Sequence, residues 1–329
     1  IEEGWEVLVL DMTTLVSKQP RSNSIKRPSS EKLTVIQTES VSYFHKLIKE
    51  FRPDFAIDFT CDRINKKAFF KKLILMHLIR SHSRRIVYSL GSLPVAEPAR
   101  VKWMKRGFYS ACRYLSRPTK KDLLFTGGTA GTEGVTADIL HGYSFDVNAA
   151  IREEAESQQR KTEREKFILY IDQNSPHSGD RKHMGLDNPY CAESYYNEVS
   201  RMIHLAEERF GIKVKVQGHP RACRSVLRKQ YGARLLTGVS TSAAIRESKM
   251  VIGHNSTALQ LAVFYKKPII FTTLDEIERI SCESIKSASI SLFANLLGRK
   301  VSQFSIYTDE WPDTETIEVD EEKYERYIE

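Results

Sequence analysis

Five consecutive residues, Gly253-His254-Asn255-Ser256-Thr257, have the side chains and backbone to hold an anion. They follow the apolar run Met250-Val251-Ile252 and precede a helix-like run from Ala258 to Tyr265. That order predicts a buried strand, a small polar turn, and a helix capped by Ser256 or Thr257. Free N–H groups of a first helical turn, beside two hydroxyls, make a phosphate site. A related element lies upstream, where the strand-like run Lys213–Gly218 leads into His219-Pro220-Arg221. His219, when protonated, and Arg221 would neutralise a phosphate leaving group. Pro220 would fix the chain direction after the strand and remove a competing donor. Ser256 and Thr257 are expected to hold the same phosphate.

Two acids are candidates for proton transfer. Asp172 ends the strand-like run Phe167–Asp172, ahead of Gln173-Asn174. At the mouth of a cleft it would act as general base on an acceptor hydroxyl, or as a nucleophile. It also has a plain structural use, as a turn or cap residue bonded to nearby backbone. Glu133 is the second acid, in the loop Thr126–Gly134 with its four glycines. Such a loop lets backbone approach a ligand closely, or serves only as a connection. Thr237-Gly238 closes a further short strand. The candidate site is thus catalytic at Asp172, Glu133 and His219. Its nucleotide-binding residues are His219, Pro220, Arg221, Gly238, Gly253, Asn255, Ser256 and Thr257.

These residues need a scaffold that collects strand ends. Short apolar runs alternate with amphipathic stretches along the whole chain. Strands are expected at 7–10, 55–59, 85–90 and 122–126. Helices are expected at 40–51, 65–82 and 98–115. After an almost wholly polar stretch, 151–166, the pattern resumes. Strands are read at 167–172, 213–217, 234–236, 251–253 and 268–272. Helices are read at 192–210, 222–231, 240–247 and 256–265, with more helix within 274–297. Strand–helix alternation argues for parallel sheets covered on both faces. The fold class is α/β, with two Rossmann-like domains facing a cleft. The first spans 1–150 and binds the acceptor, 151–166 is the linker, and 167–329 binds the donor nucleotide. No glycine fingerprint follows the first strand, where Asp11-Met12-Thr13-Thr14 stands, which argues against NAD or FAD.

Composition narrows the class further. A length of 329 residues suits two domains. No apolar run reaches the length of a membrane span and no secretory leader is visible. The first residue is Ile, so the native chain is expected to extend beyond this one. The five cysteines are scattered, which speaks against a disulfide framework or zinc site and fits a reducing cytoplasm. The net charge of +8 is concentrated in residues 63–121. No nucleic-acid module accompanies it. A peripheral contact with an anionic membrane face, or a lipid-linked acceptor, is the expected partner.

The order of Asp172, His219-Pro220 and Ser256-Thr257 resembles that of bacterial sialyltransferases and related CMP-sugar transferases of GT-B architecture. Tyr170-Ile171-Asp172-Gln173, His219-Pro220-Arg221 and Gly253–Thr257 also look like surface-polysaccharide biosynthesis proteins of bacteria. The resemblance implies a glycosyltransferase. His219 and the hydroxyl pair would hold the nucleotide phosphate, and Asp172 would serve catalysis. The donor would be a CMP-activated 2-keto sugar acid, sialic-acid-like or Kdo, moved to a bacterial surface glycan without a metal. Two departures stand out: Asp-Gln-Asn replaces an acidic motif of two acids and a glycine, and Ser-Thr replaces Ser-Ser. Teichoic-acid-type polymerising transferases share similar motifs, so a UDP-sugar or CDP-alcohol donor is the alternative. Outside enzymes, a nucleotide- or glycan-binding module or a membrane scaffold remains.

Overall fold

A computed structural model describes residues 4–12, 15, 31–58, 66–90, 119–126, 136–142, 145–156, 166–177, 188–280, 284–312 and 318–328. Glu133, its glycine loop and the helix expected at 98–115 lie outside the described residues. The first part contains β1 (Val7–Asp11), β2 (Leu33–Gln37), α1 (Val41–Phe51), β3 (Phe55–Asp58), α2 (Lys66–His82), β4 (Arg85–Leu90), β5 (Leu123–Thr126) and β6 (Asp138–His141). β1 and β2 pair in parallel, and β3-β4-β5-β6 form a parallel sheet in chain order. Ser40 caps α1 by accepting from the Tyr43 N–H, and Phe44 and Ile48 bury one helix face. Two of these strands, β2 and β6, were not expected from the sequence.

The second part begins with α3 (Phe145–Glu156). It continues through β7 (Ile168–Ile171), α4 (Ala192–Phe210), β8 (Val214–Gln217), α5 (Arg224–Tyr231), α6 (Thr241–Glu247), β9 (Met250–Gly253), α7 (Leu259–Phe264), β10 (Ile269–Leu274), α8 (Asp275–Glu278), α9 (Ser284–Leu296), β11 (Val301–Phe304) and α10 (Glu321–Ile328). β11 and α10 likewise lie beyond the sequence reading. All strands are parallel, in the order β11-β10-β9-β7-β8. A bridge from Val216 to Leu235 extends the sheet past β8. The chain thus winds outward one way from β7, then returns and winds the other way from β9. This is a doubly wound α/β sheet of Rossmann order.

Alternation along the strands sorts two cores. Ile168, Tyr170, Met250, Ile252 and Ile270 face one layer with Tyr195, Tyr196, Val199 and Tyr231 of α4 and α5. Leu169, Ile171, Val251, Ile269 and Phe271 face the other, with α6, α7, α9 and α10. Both faces of the central strands are covered, so they read as continuous apolar runs. α3 supplies Val147 and Ala150 to the second layer. Its Glu153 accepts from Ser240 Oγ at 2.6 Å, and its Glu154 lies 3.7 Å from Arg246. The helix therefore crosses residue 150, where the polar joint was expected to start. Gly211, at φ 62°, ends α4 with its N–H on the Glu207 carbonyl, as its place after the amphipathic run predicts. Among the described residues, no helix is long and apolar enough to cross a membrane.

A buried acid ties α4 to α8. Glu198 accepts from the Glu276 N–H at 3.0 Å. Glu276 in turn accepts from the Cys191 N–H at 2.5 Å and pairs with Arg279 at 2.7 Å. Burial pushes the Glu198 carboxyl up to about 7. The folded state therefore keeps a proton that the unfolded chain gives up near pH 4.3. Glu198 contributes full stability below that value, and the contribution is lost as pH rises through about 7. Glu198→Gln keeps the acceptor without the titration. It should raise the melting temperature at pH 8 relative to pH 5; an unchanged pH profile would count against the assignment.

Candidate functional site

Reversal of winding direction leaves a crevice beyond the carboxyl ends of β7 and β9, where ligands of open α/β sheets bind. A small pocket of about 10 Å³ lies there, lined by Gln173, Ser175, Tyr190, His254, Asn255, Thr272, Thr273, Ile277 and Ile290. Gln173 and Asn255 each follow one of the two strands at the switch point. Most of the pocket's exposed lining is apolar, and the His254 imidazole in it is neutral, since burial holds its pKa down to about 4. A turn at Ser175–His177 and the Asn188–Tyr190 segment close one side.

Asp172 is not at the cleft mouth. It has the same strand parity as Ile168 and Tyr170, so its side chain points under α4 and α5 and is 1% exposed. Its N–H still joins the sheet, donating to the Gln217 carbonyl at 3.0 Å. Its Oδ1 accepts from the Asn174 N–H at 3.1 Å, closing a turn in which Asn174 adopts φ 53°. The structural use noted above is thus met in full. Burial raises the carboxyl above its usual range, partly offset by the Asn174 N–H and the phenols of Tyr195 and Tyr231.

Around this acid lies a polar cluster that the sequence did not disclose. Tyr195 Oη is 3.4 Å from Asp172 Oδ1 and 3.4 Å from Tyr170 Oη. Tyr170 Oη is 3.1 Å from His254 Nε2, and His254 Nδ1 is 2.8 Å from the Thr272 carbonyl. Tyr231 packs edge-on against both Tyr170 and Tyr196. The signal was available as parity: residue 170 on β7, 172 just after it, 254 after β9 and 272 on β10 all fall on one face of the sheet.

The other predicted residues hold different places. His219 is half-buried and Pro220 and Arg221 are exposed beyond β8, where His219 Nδ1 accepts from the Arg221 N–H at 3.1 Å. Gly218, just before them, is required because a Cβ there would meet Leu227 Cδ1 at 2.4 Å. Gly253 is buried in β9, where a Cβ would lie 2.9 Å from Leu259 Cδ2. Gly238, at φ 72°, is exposed before α6. α7 starts at Leu259, later than expected, and neither Ser256 nor Thr257 is its cap. Ser256 Oγ instead accepts from the Ala258 N–H at 3.3 Å, and Thr257 is exposed. A tight turn, Leu259 N–H to Ser256 carbonyl, replaces the first helical turn. His219 and Arg221 end β8, Asn255–Thr257 end β9, and β7 runs between them. The two groups therefore stand about 10 Å apart at the backbone, two strand spacings. Among the described residues, no three His, Cys, Asp or Glu side chains cluster as a metal site would require.

No family model matches the chain. No curated protein matches it either. Among solved structures it is similar to MnaA of S. aureus with UDP, at 13% identity and TM-score 0.44, over 81% of this chain and 78% of that one. It is also similar to the UDP-GlcNAc 2-epimerase of Methanocaldococcus jannaschii with UDP-GlcNAc and UDP, at 11% identity and TM-score 0.42, over 97% of each chain. A variant of the wall teichoic acid polymerase TagF gives 14% identity and TM-score 0.40, over 82% of this chain and 63% of that one.

Proposed function

We propose that this chain is a nucleotide-sugar-dependent glycosyltransferase whose second unit binds the nucleotide at the β7/β9 switch point. The observation that carries the reading is the switch point itself, where the sheet order β11-β10-β9-β7-β8 brings the Gln173 and Asn255 strand ends side by side. Its Gln173, Asn255 and Thr273 offer the amides and hydroxyls that fix a base, ribose or phosphate. Arg221 supplies positive charge from the neighbouring strand end, and His219, whose Nδ1 accepts from the Arg221 N–H, offers an Nε2–H donor.

A UDP-sugar is the favoured donor. A ligand touching both the His219 and the Asn255–Thr257 strand ends spans about 10 Å, which suits a diphosphate between nucleoside and sugar. A CMP-linked sugar acid is the second reading, favoured by the motif order of Asp172, His219-Pro220 and Ser256-Thr257. With Asp172 under α4, Glu133 is the proposed proton-transfer group. The acceptor is proposed to be a bacterial surface glycan, lipid-linked and met at an anionic membrane face by the basic segment 63–121. Transfer is proposed to need no metal.

A thermal-shift titration with UDP, UMP, CDP, CMP and NAD, with and without magnesium, tests the site. A ligand that binds only the folded state raises the midpoint by mass action. UDP should stabilise the protein most, unaffected by magnesium, and His219→Ala should weaken it about tenfold, the loss of one charge-assisted bond. A preference for CMP would transfer the donor to the second reading. No shift with any nucleotide would remove the donor site and favour a scaffold role.

A further inference from the structure

We propose that the outer side of α5, with Arg224, Arg228 and Lys229, is a docking surface for an anionic polysaccharide, held by charge alone. That this polysaccharide is the acceptor rests on the nucleotide-sugar reading above; that α5 binds it does not.

The sequence around α5 departs from the composition of the rest of the chain. Between Glu208 and Glu247 stand nine lysines and arginines and no aspartate or glutamate, although the whole chain carries 42 acids in 329 residues. Folding gathers this run at one edge of the second sheet, where β8 is the last full strand and the Val216–Leu235 bridge lies beyond it. The acid that α4 brings to this edge, Glu207, is taken by Arg234 at 2.9 Å and Lys213 at 4.0 Å. Among the described residues no acid pairs with Arg224, Arg228 or Lys229, and all three are exposed.

Helix stability accounts for only part of the pattern. Arg228 and Lys229 fall in the last turn of α5, where the helix dipole favours a cation. Arg224 is its first residue, where the dipole opposes one, and no acid stands in that turn. Leu227 and Tyr231 fasten α5 to the core, so the cations stand on an anchored element. Arg224 and Arg228 are one turn apart, about 6 Å along the axis, and share a side of the helix. Leu235 pairs in parallel with Val216, so α5 runs back from the carboxyl edge of the sheet. The cations therefore lead away from His219 and Arg221, beside the proposed nucleotide site. A chain extended at that site would lie along them.

The kind of polyanion follows from what the surface lacks. Membrane-surface helices bury an apolar face in lipid, whereas the apolar side of α5 is spent on the core. No large apolar side chain is exposed between Glu208 and Glu247. Single-stranded nucleic acids are held by exposed aromatics as well as by charge. The aromatics of this run, Phe210 and Tyr231, are half-buried and buried. Carboxylates or phosphates repeated along a sugar chain need only the guanidinium forks and the ammonium group.

Fluorescence anisotropy with labelled alginate oligosaccharides, on the full chain, tests the surface. The wild type should bind them, ignore neutral dextran, and bind more weakly as salt is raised. Arg224→Gln, Arg228→Gln and Lys229→Gln together should weaken binding about thirtyfold, about threefold for each exposed ion contact, and flatten the salt dependence. Lys46→Gln, Lys49→Gln and Arg52→Gln together remove the same charge from exposed positions of α1 and its cap, and should leave binding within about twofold. Arg224→Lys with Arg228→Lys keeps the charge and should bind within about threefold of the wild type. No binding, or equal losses in both triple variants, would overturn the proposal. Oligodeoxythymidine or phosphatidylserine vesicles bound through α5 more tightly than alginate would overturn it in favour of that class. Calorimetric titration with UDP separates the two readings. The α5 triple variant should bind UDP as the wild type does, because its three residues lie outside the nucleotide site. If UDP fails to bind while alginate binds through α5, the docking surface stands and its partner is no longer the acceptor. If UDP binds and alginate does not, the docking surface alone fails.

Discussion

Tyr170→Ala should destabilise the second unit by about 4 kcal/mol, whereas Tyr170→Phe should cost only about 1–2 kcal/mol. Tyr170 is wholly buried at the centre of the sheet and packs edge-on against Tyr231 and His254. Truncation to alanine removes an aromatic ring from a close-packed layer, and neighbours on three elements cannot collapse to fill it. It also strips His254 Nε2 of its donor. The phenylalanine variant keeps the ring and loses only the hydroxyl's bonds. Denaturant midpoints for both variants measure the split. Equal losses would mean that the hydroxyl, not the ring, carries the stability.

His254 should make the protein sensitive to acid by about 3 kcal/mol. Its ring is 2% exposed, and burial lowers its pKa from 6.5 to about 4. The unfolded chain takes up a proton below 6.5 while the folded one refuses it down to about 4. Stability from this residue is therefore complete above 6.5 and lost as pH falls through about 4, at about 1.4 kcal/mol for each unit between. His254→Gln should flatten that acid arm while lowering stability at neutral pH. Glu198 acts in the same window with the opposite sign, since its contribution fades as pH rises through about 7. Thermal melts from pH 4 to pH 8 should therefore tilt one way for His254→Gln and the other for Glu198→Gln. Parallel shifts of the two profiles would contradict both assignments.

Much of the second unit was legible before any coordinates. Gly211 marked the end of α4, Gly232 the end of α5, and the apolar runs at β7, β9 and β10 announced buried parallel strands. Strand-end clusters pointed correctly to the carboxyl edge of the sheet, because parallel winding puts every such end on one side. What misled was direction within a strand end. Asp172 was placed by its position after β7, while its parity with Tyr170 sends it under α4. Ser256 looked like a cap because it precedes an apolar run, but three residues of tight turn intervene before Leu259. The tyrosine cluster was invisible for a different reason. Tyr170, Tyr195 and Tyr231 come from three elements, and only the order β9-β7-β8 brings them together. His254 was noted as one polar residue among several; nothing local in the sequence says that its ring is sealed and neutral.

The helix Phe145–Glu156 bears on how this chain divides by protease or by recombination. Cutting at residue 151, where composition turns polar, would split the helix. The downstream fragment would lose Val147 and Ala150, and with them part of the apolar cover of α7. The smallest portable piece carrying the cleft therefore starts no later than Phe145. A nuclease-trimmed gene library of N-terminal truncations should show soluble expression ending there, twenty-odd residues ahead of the first strand of the sheet it protects.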